Sequence, residues 1–419
     1  MTHASEHKPH VAIACGGTGG HLFPGLAVAE QLTARGCTVS VLISPKDVDQ
    51  QAVKSARDVE LVTLPAVALQ NGSRIAFFRG FVKSFRASRA LFKTRRPDAV
   101  LAMGGFTAAP PVLAARMLGV KTFLHESNTI PGKANRWLAR FVHQAFVGFP
   151  ESEGRLAARE VIVTGTPVRA EFQIRDVAAC RVALGLDAAR PVVLVTGGSQ
   201  GARGVNDLII GALPMLARHA LQWQWLHLAG PNDVEKVKQA YAKLELKAVV
   251  YPFFTQMALA LGVATACVSR AGASSLAEIA AMRLPTLLVP LPTSADNHQW
   301  HNARAFEATG AAQLLQQGDA TPEKVSTLLR ELVEDTAERD EMRSALAKWH
   351  EPKAAEKIAD AILVSLGREV EKSTKHEHPS TREIPSSNQQ VAVSRSAVGI
   401  LVLVLLWCVD VGAWIFQLA

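Results

Sequence analysis

The same local plan occurs twice in this chain. Val11-Ala12-Ile13-Ala14-Cys15 runs into Gly16-Gly17-Thr18-Gly19-Gly20-His21, with Pro24 and Gly25 soon after. Val192-Val193-Leu194-Val195-Thr196 runs into Gly197-Gly198-Ser199-Gln200-Gly201-Ala202. Each begins as a buried parallel strand, and the glycines then open a helix. Glycine lets the backbone approach an anion, and the free N–H groups and dipole of a helix N-terminus stabilise it. One such unit points to a nucleotide domain. Two of them, about 180 residues apart, point to two Rossmann-like domains whose parallel sheets face a cleft.

The intervening pattern supports an α/β class. Val39–Ile43, Ala99–Met103 and Lys121–His125 read as short buried strands, with helical spacing over Leu26–Arg35 and Ser84–Lys93. The pattern restarts after Pro167. Strands are expected at Val192–Thr196, Gln224–Leu228, Ala248–Tyr251, Ala266–Val268 and Thr286–Val289, with a helix over Ser275–Met282. Strands alternating with helices argue for doubly wound sheets. The expected organisation is a first domain over 1–167, a second over 168–350, a closing helix over 351–366, a polar Ser/Pro/Lys/Glu-rich linker over 367–394, and a hydrophobic segment over 395–419.

That last segment bears on location. Ala397–Phe416 is nearly continuous apolar sequence broken by Asp410, and about twenty helical residues span the hydrocarbon layer. Arg395 precedes it and no basic residue follows, so a span here leaves the rest of the chain on the cytosolic side. An interfacial or partner-packed helix is the alternative. The net charge of +8 favours anionic partners. Without zinc-type cysteine spacing or an arginine-rich arm, nucleic acid ranks last among them. Five widely spaced cysteines suit a reducing compartment.

The first glycine turn fits neither the dinucleotide fingerprint nor a P-loop. Leu22 stands where the third glycine belongs, Ser44 and Pro45 end the second strand, and no Gly-Lys-Ser/Thr follows. A histidine at the tip of such a turn is placed for proton transfer, or to cap the helix or hold phosphate. Gly104-Gly105-Phe106 and His125-Glu126-Ser127-Asn128 follow strands, where ligands bind in open α/β sheets. Glu126 suits a base, a hydroxyl acceptor or a helix cap. Ser269-Arg270-Ala271-Gly272-Ala273 opens a helix able to hold phosphate, and Glu278 either accepts ribose hydroxyls or complements the helix dipole. Phe78, Phe81, Val82 and Phe85 share one helical face, near Ile75 and bordered by Arg79, Lys83 and Arg86. That composition suits a helix on an anionic membrane surface, or a core face with a basic rim.

Taken in order, these segments, together with Gly165, Pro167-Val168-Arg169 and His298-Gln299 with Asn302, resemble the UDP-N-acetylglucosamine–N-acetylmuramyl-(pentapeptide) pyrophosphoryl-undecaprenol N-acetylglucosamine transferases, the MurG family, over roughly Lys8–Leu366. The resemblance implies a GT-B fold and an inverting transfer that needs no metal or other cofactor. It implies UDP-GlcNAc as donor, lipid I as acceptor and lipid II as product. It also implies work at the cytoplasmic face of the cell membrane, alongside other cell-wall synthesis proteins, in peptidoglycan synthesis, cell shape and division. Carried over residue by residue, Arg169 and Phe254 lie at the uracil and Ser199 at the diphosphate. Ala273, Ser274, Ser275, Leu276, Ala277 and Glu278 lie along ribose and phosphate, with Asn128, His298 and Gln299 near the sugar. Thr18, Gly19, Gly20 and His21 sit where acceptor diphosphate and donor sugar meet, with His21 the first candidate base and Glu126 the second. Ser127, Thr166, Phe106 and Met282-Arg283 depart from the family pattern. Other readings of the scaffold are transfer to a different lipid, a UDP-GlcNAc epimerase, and a non-catalytic tethered protein.

Overall fold

The computed structural model describes residues 8–16, 19–45, 59–65, 74–198, 201–217 and 221–369. Its first sheet contains β1 (His10–Ala14), β2 (Thr38–Ile43), β3 (Glu60–Thr63), β4 (Ala99–Ala102), β5 (Lys121–Glu126), β6 (Gln144–Val147) and β7 (Val161–Val163). The order is β3-β2-β1-β4-β5-β6-β7, all parallel. The second contains β8 (Val192–Thr196), β9 (Gln224–Leu228), β10 (Ala248–Tyr251), β11 (Ala266–Ser269), β12 (Thr286–Leu288) and β13 (Gln313–Leu314). Its order, β10-β9-β8-β11-β12-β13, repeats the first. Both sheets therefore reverse winding at one place, between β1 and β4 and between β8 and β11. The carboxyl ends there leave a crevice, the usual ligand position in an open α/β sheet.

The apolar runs are long because both faces of each sheet are covered. In β1, Val11 and Ile13 join one core layer and Ala12 and Ala14 the other, as alternation along a strand requires. The last described helix is Ala354–Ser365, within the expected closing helix. It returns to the first domain, where Ala355, Ile358, Ala359, Ile362 and Leu363 pack with Val11, Ile13, Leu22 and Leu32. Arg35 Nε reaches Asp360 Oδ1 at 2.7 Å beside them.

The basic, aromatic segment is one long helix, Arg74–Thr94, and part of its expected membrane face is core. Phe81 is 1% exposed, and Phe78 and Phe85 are half-buried against the same cluster. The buried stripe runs Phe77, Phe81, Ser84, Ser88, Phe92, a helical spacing that contains two serines. Ser88 tolerates burial because its hydroxyl donates to the Ser84 carbonyl at 2.8 Å. Phe81 is therefore removed from the membrane-contact set. Ile75, Arg79, Lys83 and Arg86 are exposed and Val82 is half-buried. Phe81→Ala should cost about 3–5 kcal/mol by opening a cavity, read as a fall in the urea midpoint. Lys83→Ala should change stability by no more than about 0.5 kcal/mol. Equal, small effects at both positions would move Phe81 back to the surface.

Among the described residues no helix is long and apolar enough to cross a membrane. The Ala397–Phe416 segment, and the linker from residue 370 onward, lie outside the described residues.

Candidate active site

His21 lies in the first turn of the Gly19–Ala34 helix, directly after β1. Its ring rests on the backbone after β4, across the switch point. A Cβ on Gly104 would come within 2.8 Å of His21 Cε1 and 2.9 Å of Nδ1, and one on Gly105 within 3.5 Å of Nε2. Gly104 also has φ +115, so both space and backbone demand glycine. His125, on β5 beside it, is fully buried. Its Nε2 donates to the Gly165 carbonyl at 3.2 Å. Burial, with a smaller contribution from the neighbouring His21 and against the Gly165 hydrogen bond, lowers the His125 pKa to about 4. His125 therefore stays neutral at physiological pH and adds no cation behind His21.

Glu126 ends β5 and is 2% exposed. Its Oε1 accepts from Asn128 N and Nδ2, both at 2.9 Å. Its Oε2 accepts from Gly132 N at 2.9 Å and Asn135 Nδ2 at 2.8 Å. Four N–H donors thus converge on one carboxylate. Asn128 spends its other side-chain atom on the second domain, where its Oδ1 accepts from Asn302 Nδ2 at 3.0 Å.

From the second domain, the Ala273–Met282 helix points its N-terminus at the first glycine turn. Ser274 Oγ donates to the Gly20 carbonyl at 2.7 Å. That carbonyl is available for a local reason. Its helical partner would be the amide of Pro24, which has no hydrogen. Ala273, Leu276 and Ala277 line a small crevice with Gly148, Phe149 and Thr166, Leu276 from a buried position. Arg169 pairs with Glu171 at 2.7 Å and lies over the rings of Phe23, 4.3 Å, and Phe172, 5.2 Å. Phe254 packs on Tyr251 at 5.0 Å beyond β10. His298 Nδ1 donates to the Ala295 carbonyl at 2.8 Å, and Gln299 Oε1 accepts from Leu291 N at 3.0 Å. Thr18 and Ser199 lie outside the described residues. Arg270, from the motif before the helix, does not face the cleft. It braces the loop after β12 by donating to the carbonyls of Val289 and Pro290, both at 3.0 Å.

Glu278 is partly open to the cleft, yet the protein packed around its carboxyl raises its pKa to about 7, with Arg169 opposing and Glu171 adding to the shift. Between 4.5 and about 7 the folded protein keeps a proton that the unfolded chain releases. This residue's contribution to stability is therefore lost as pH rises through that window. Without nucleotide, Glu278→Gln should raise the thermal midpoint more at pH 8 than at pH 5, by roughly 3 °C or more. Equal gains at both pH values would show a carboxyl that titrates normally.

Two family models match the two domains: the glycosyltransferase family 28 N-terminal domain over residues 11–147, and the family 28 C-terminal domain over 192–359. A UDP-N-acetylglucosamine–N-acetylmuramyl-(pentapeptide) pyrophosphoryl-undecaprenol N-acetylglucosamine transferase of Xanthomonas oryzae pv. oryzae is 38% identical over 369 residues, 87% of this chain and 81% of that one. The chain belongs to this transferase family. A relative of the same name from Anaeromyxobacter sp. is 35% identical, over 85% of this chain and 93% of its own. The crystal structure of Acinetobacter baumannii MurG superposes with a TM-score of 0.66 at 29% identity, covering 85% of this chain and 99% of that one. A UDP-N-acetylglucosamine 2-epimerase from Listeria monocytogenes shares the fold, with a TM-score of 0.64 at 15% identity over 86% of this chain and 97% of its own. The two parallel-sheet domains are thus those of a GT-B glycosyltransferase, and the chain is an N-acetylglucosamine transferase by family.

The family pattern includes Asn302 without implying a role for it, and the structure places it in the domain junction, bonded to Thr129, Asn128 and Ala271. Only its spacing after His298-Gln299 marked it. A lone asparagine in a polar helix carries no burial signal.

Proposed function

We propose that this cleft transfers the N-acetylglucosaminyl group of UDP-GlcNAc to a hydroxyl of undecaprenyl-diphospho-N-acetylmuramoyl-pentapeptide, lipid I, with inversion, to give lipid II. The observation that carries the reading is the Ser274–Gly20 contact. It sets the helix N-terminus of the donor domain against the turn that bears His21. Negative charge growing on the departing UDP is met there by free N–H groups and the helix dipole. The attacking hydroxyl must lose a proton, and His21 accepts it. Glu126 then serves as the anchor of the 127–135 loop, since its lone pairs are occupied by N–H donors. Arg169 and Phe254 take the uracil, Glu278 the ribose, and Ser199 the diphosphate, while Asn128 and Gln299 border the sugar.

The deciding assay incubates the protein with UDP-GlcNAc and a short-chain lipid I analogue. A disaccharide lipid and UDP are expected in equal amounts. Release of a free epimer without the acceptor would favour the epimerase reading instead, and sugar transfer only to other lipids would replace the acceptor.

The enzyme works at the cytoplasmic face of the membrane in this reading, with Ala397–Phe416 as an anchor and the exposed cations Arg79, Lys83 and Arg86 against anionic lipid. Full-length protein should remain with membranes through alkaline carbonate. A form ending at Glu369 should bind them only at low salt and keep its activity on the soluble analogue. Extraction of the full chain by carbonate would remove the anchor.

A further inference from the structure

We propose that Asn302 is a positioning residue for sugar transfer, holding the 127–129 loop of the first domain in register with the donor loop of the second. The inference rests on the transfer reading above. Asn302 sits in the His298–Ala308 helix and is 0% exposed. Its Oδ1 accepts from Thr129 N and Thr129 Oγ1, both at 3.0 Å. Its Nδ2 donates to Asn128 Oδ1 at 3.0 Å and to the Ala271 carbonyl at 3.1 Å. An amide side chain offers two donor hydrogens and two acceptor lone pairs, and all four are used here.

Three of these bonds cross between domains, and the fourth ties the same amide to the loop before the Ala273–Met282 helix. The geometry has no second solution. Asn128 Nδ2 is committed to Glu126, so Asn128 must present its oxygen to Asn302. The chain of contacts runs from Ala271 through Asn302 and Asn128 to Glu126, and on through Asn135. A Cβ on Gly104 would lie 3.1 Å from Asn135 Nδ2, beside His21. One end of this chain is the donor loop and the other is the neighbourhood of the base.

The ion pairs that cross are weaker. Arg136 and Lys133 reach Asp296 at 2.9 and 3.6 Å, but these pairs are open to solvent, where salt and side-chain entropy reduce their worth. A buried amide with all valences met loses far more when one partner goes. Transfer needs the hydroxyl, the base and the anomeric carbon aligned, and a displacement of about 1 Å can cost two orders of magnitude in rate. In the transfer reading UDP contacts residues of the second domain, so its binding does not need that register.

The test uses the full-length protein. Asn302→Asp keeps the acceptor for Thr129 but turns an oxygen toward Asn128 Oδ1 and the Ala271 carbonyl. Thr129→Val removes one bond and keeps the shape. Calorimetry gives the Kd for UDP, and turnover with the lipid I analogue gives kcat and the donor KM. Asn302→Asp is expected to lower kcat by at least about tenfold, and Thr129→Val by about two- to fivefold, with the UDP Kd within about threefold of wild type in both. Unchanged kcat in both variants overturns the proposal. So does parallel loss of kcat and UDP binding, which marks a damaged fold. Should Asn302→Asp not fold, the Thr129→Val comparison decides in the same way. Absence of transfer by the wild type would overturn the function reading itself.

Discussion

His21→Ala should lower kcat for transfer to a lipid I analogue by about 10²–10⁴, with UDP affinity changed less than about threefold. The imidazole lies over Gly104–Gly105, at the switch point of the first sheet. The adjoining turn at Gly20 touches the donor helix through Ser274. A base in that position acts only as the sugar–oxygen bond forms, so its loss is felt in kcat rather than in nucleotide binding. His125, behind His21, stays neutral at physiological pH. Should His21→Ala instead weaken acceptor binding and preserve kcat, the histidine is an anion ligand and the base must be sought elsewhere.

Glu126→Gln should lower stability and activity together. The carboxylate offers acceptors on both oxygens to Asn128 N, Asn128 Nδ2, Gly132 N and Asn135 Nδ2. An amide turns an NH₂ group toward two of them, leaving buried donors facing a donor. Each unsatisfied group costs about 1–3 kcal/mol. The loop it anchors carries Asn128 to Asn302, so turnover should fall by about tenfold or more as alignment is lost. Thermal unfolding and transfer kinetics on one preparation give the answer. Lost turnover with an unaltered melting midpoint would return Glu126 to the role of base.

Much of this architecture is legible in the sequence where apolar runs are buried on both sides. Val192–Thr196 and Gln224–Leu228 end where the pattern ends, as does the half-buried edge strand Ala248–Tyr251, and β1, β4 and β5 differ by a residue. β3, β6, β7 and β13 were not visible. β13 has two residues, and β3 and β7 are short strands on one edge each, largely open to solvent. The Gly19–Ala34 helix begins seven residues before the expected Leu26. Gly-Gly and Pro24 look like breakers, but near a helix N-terminus few amides have partners to lose. The one bond forfeited at Gly20 is replaced from the other domain, which no local pattern can announce. The basic, aromatic helix misled for the opposite reason. Its buried stripe passes through Ser84 and Ser88, so counting hydrophobes selected the neighbouring stripe. At the site, residue types marked loops that the fold brings to the domain junction, but the saturation of Glu126 and the contacts of Asn302 depend on how those segments meet in space.

The return of Ala354–Ser365 to the first domain makes the second domain an insertion, joined by two strands of chain rather than one. These connections run side by side: a Cβ on Gly165 would meet Glu351 Cβ at 2.7 Å. A body hung on two adjacent pivots can swing but resists twisting. Two adjacent connections would confine any opening of the cleft largely to one angular motion. The Ser274–Gly20 and Asn302–Thr129 contacts both lie away from these connections, so a swing about them would part the two contacts together. The return swing would restore donor helix and histidine turn to the pose in which Ser274 meets Gly20.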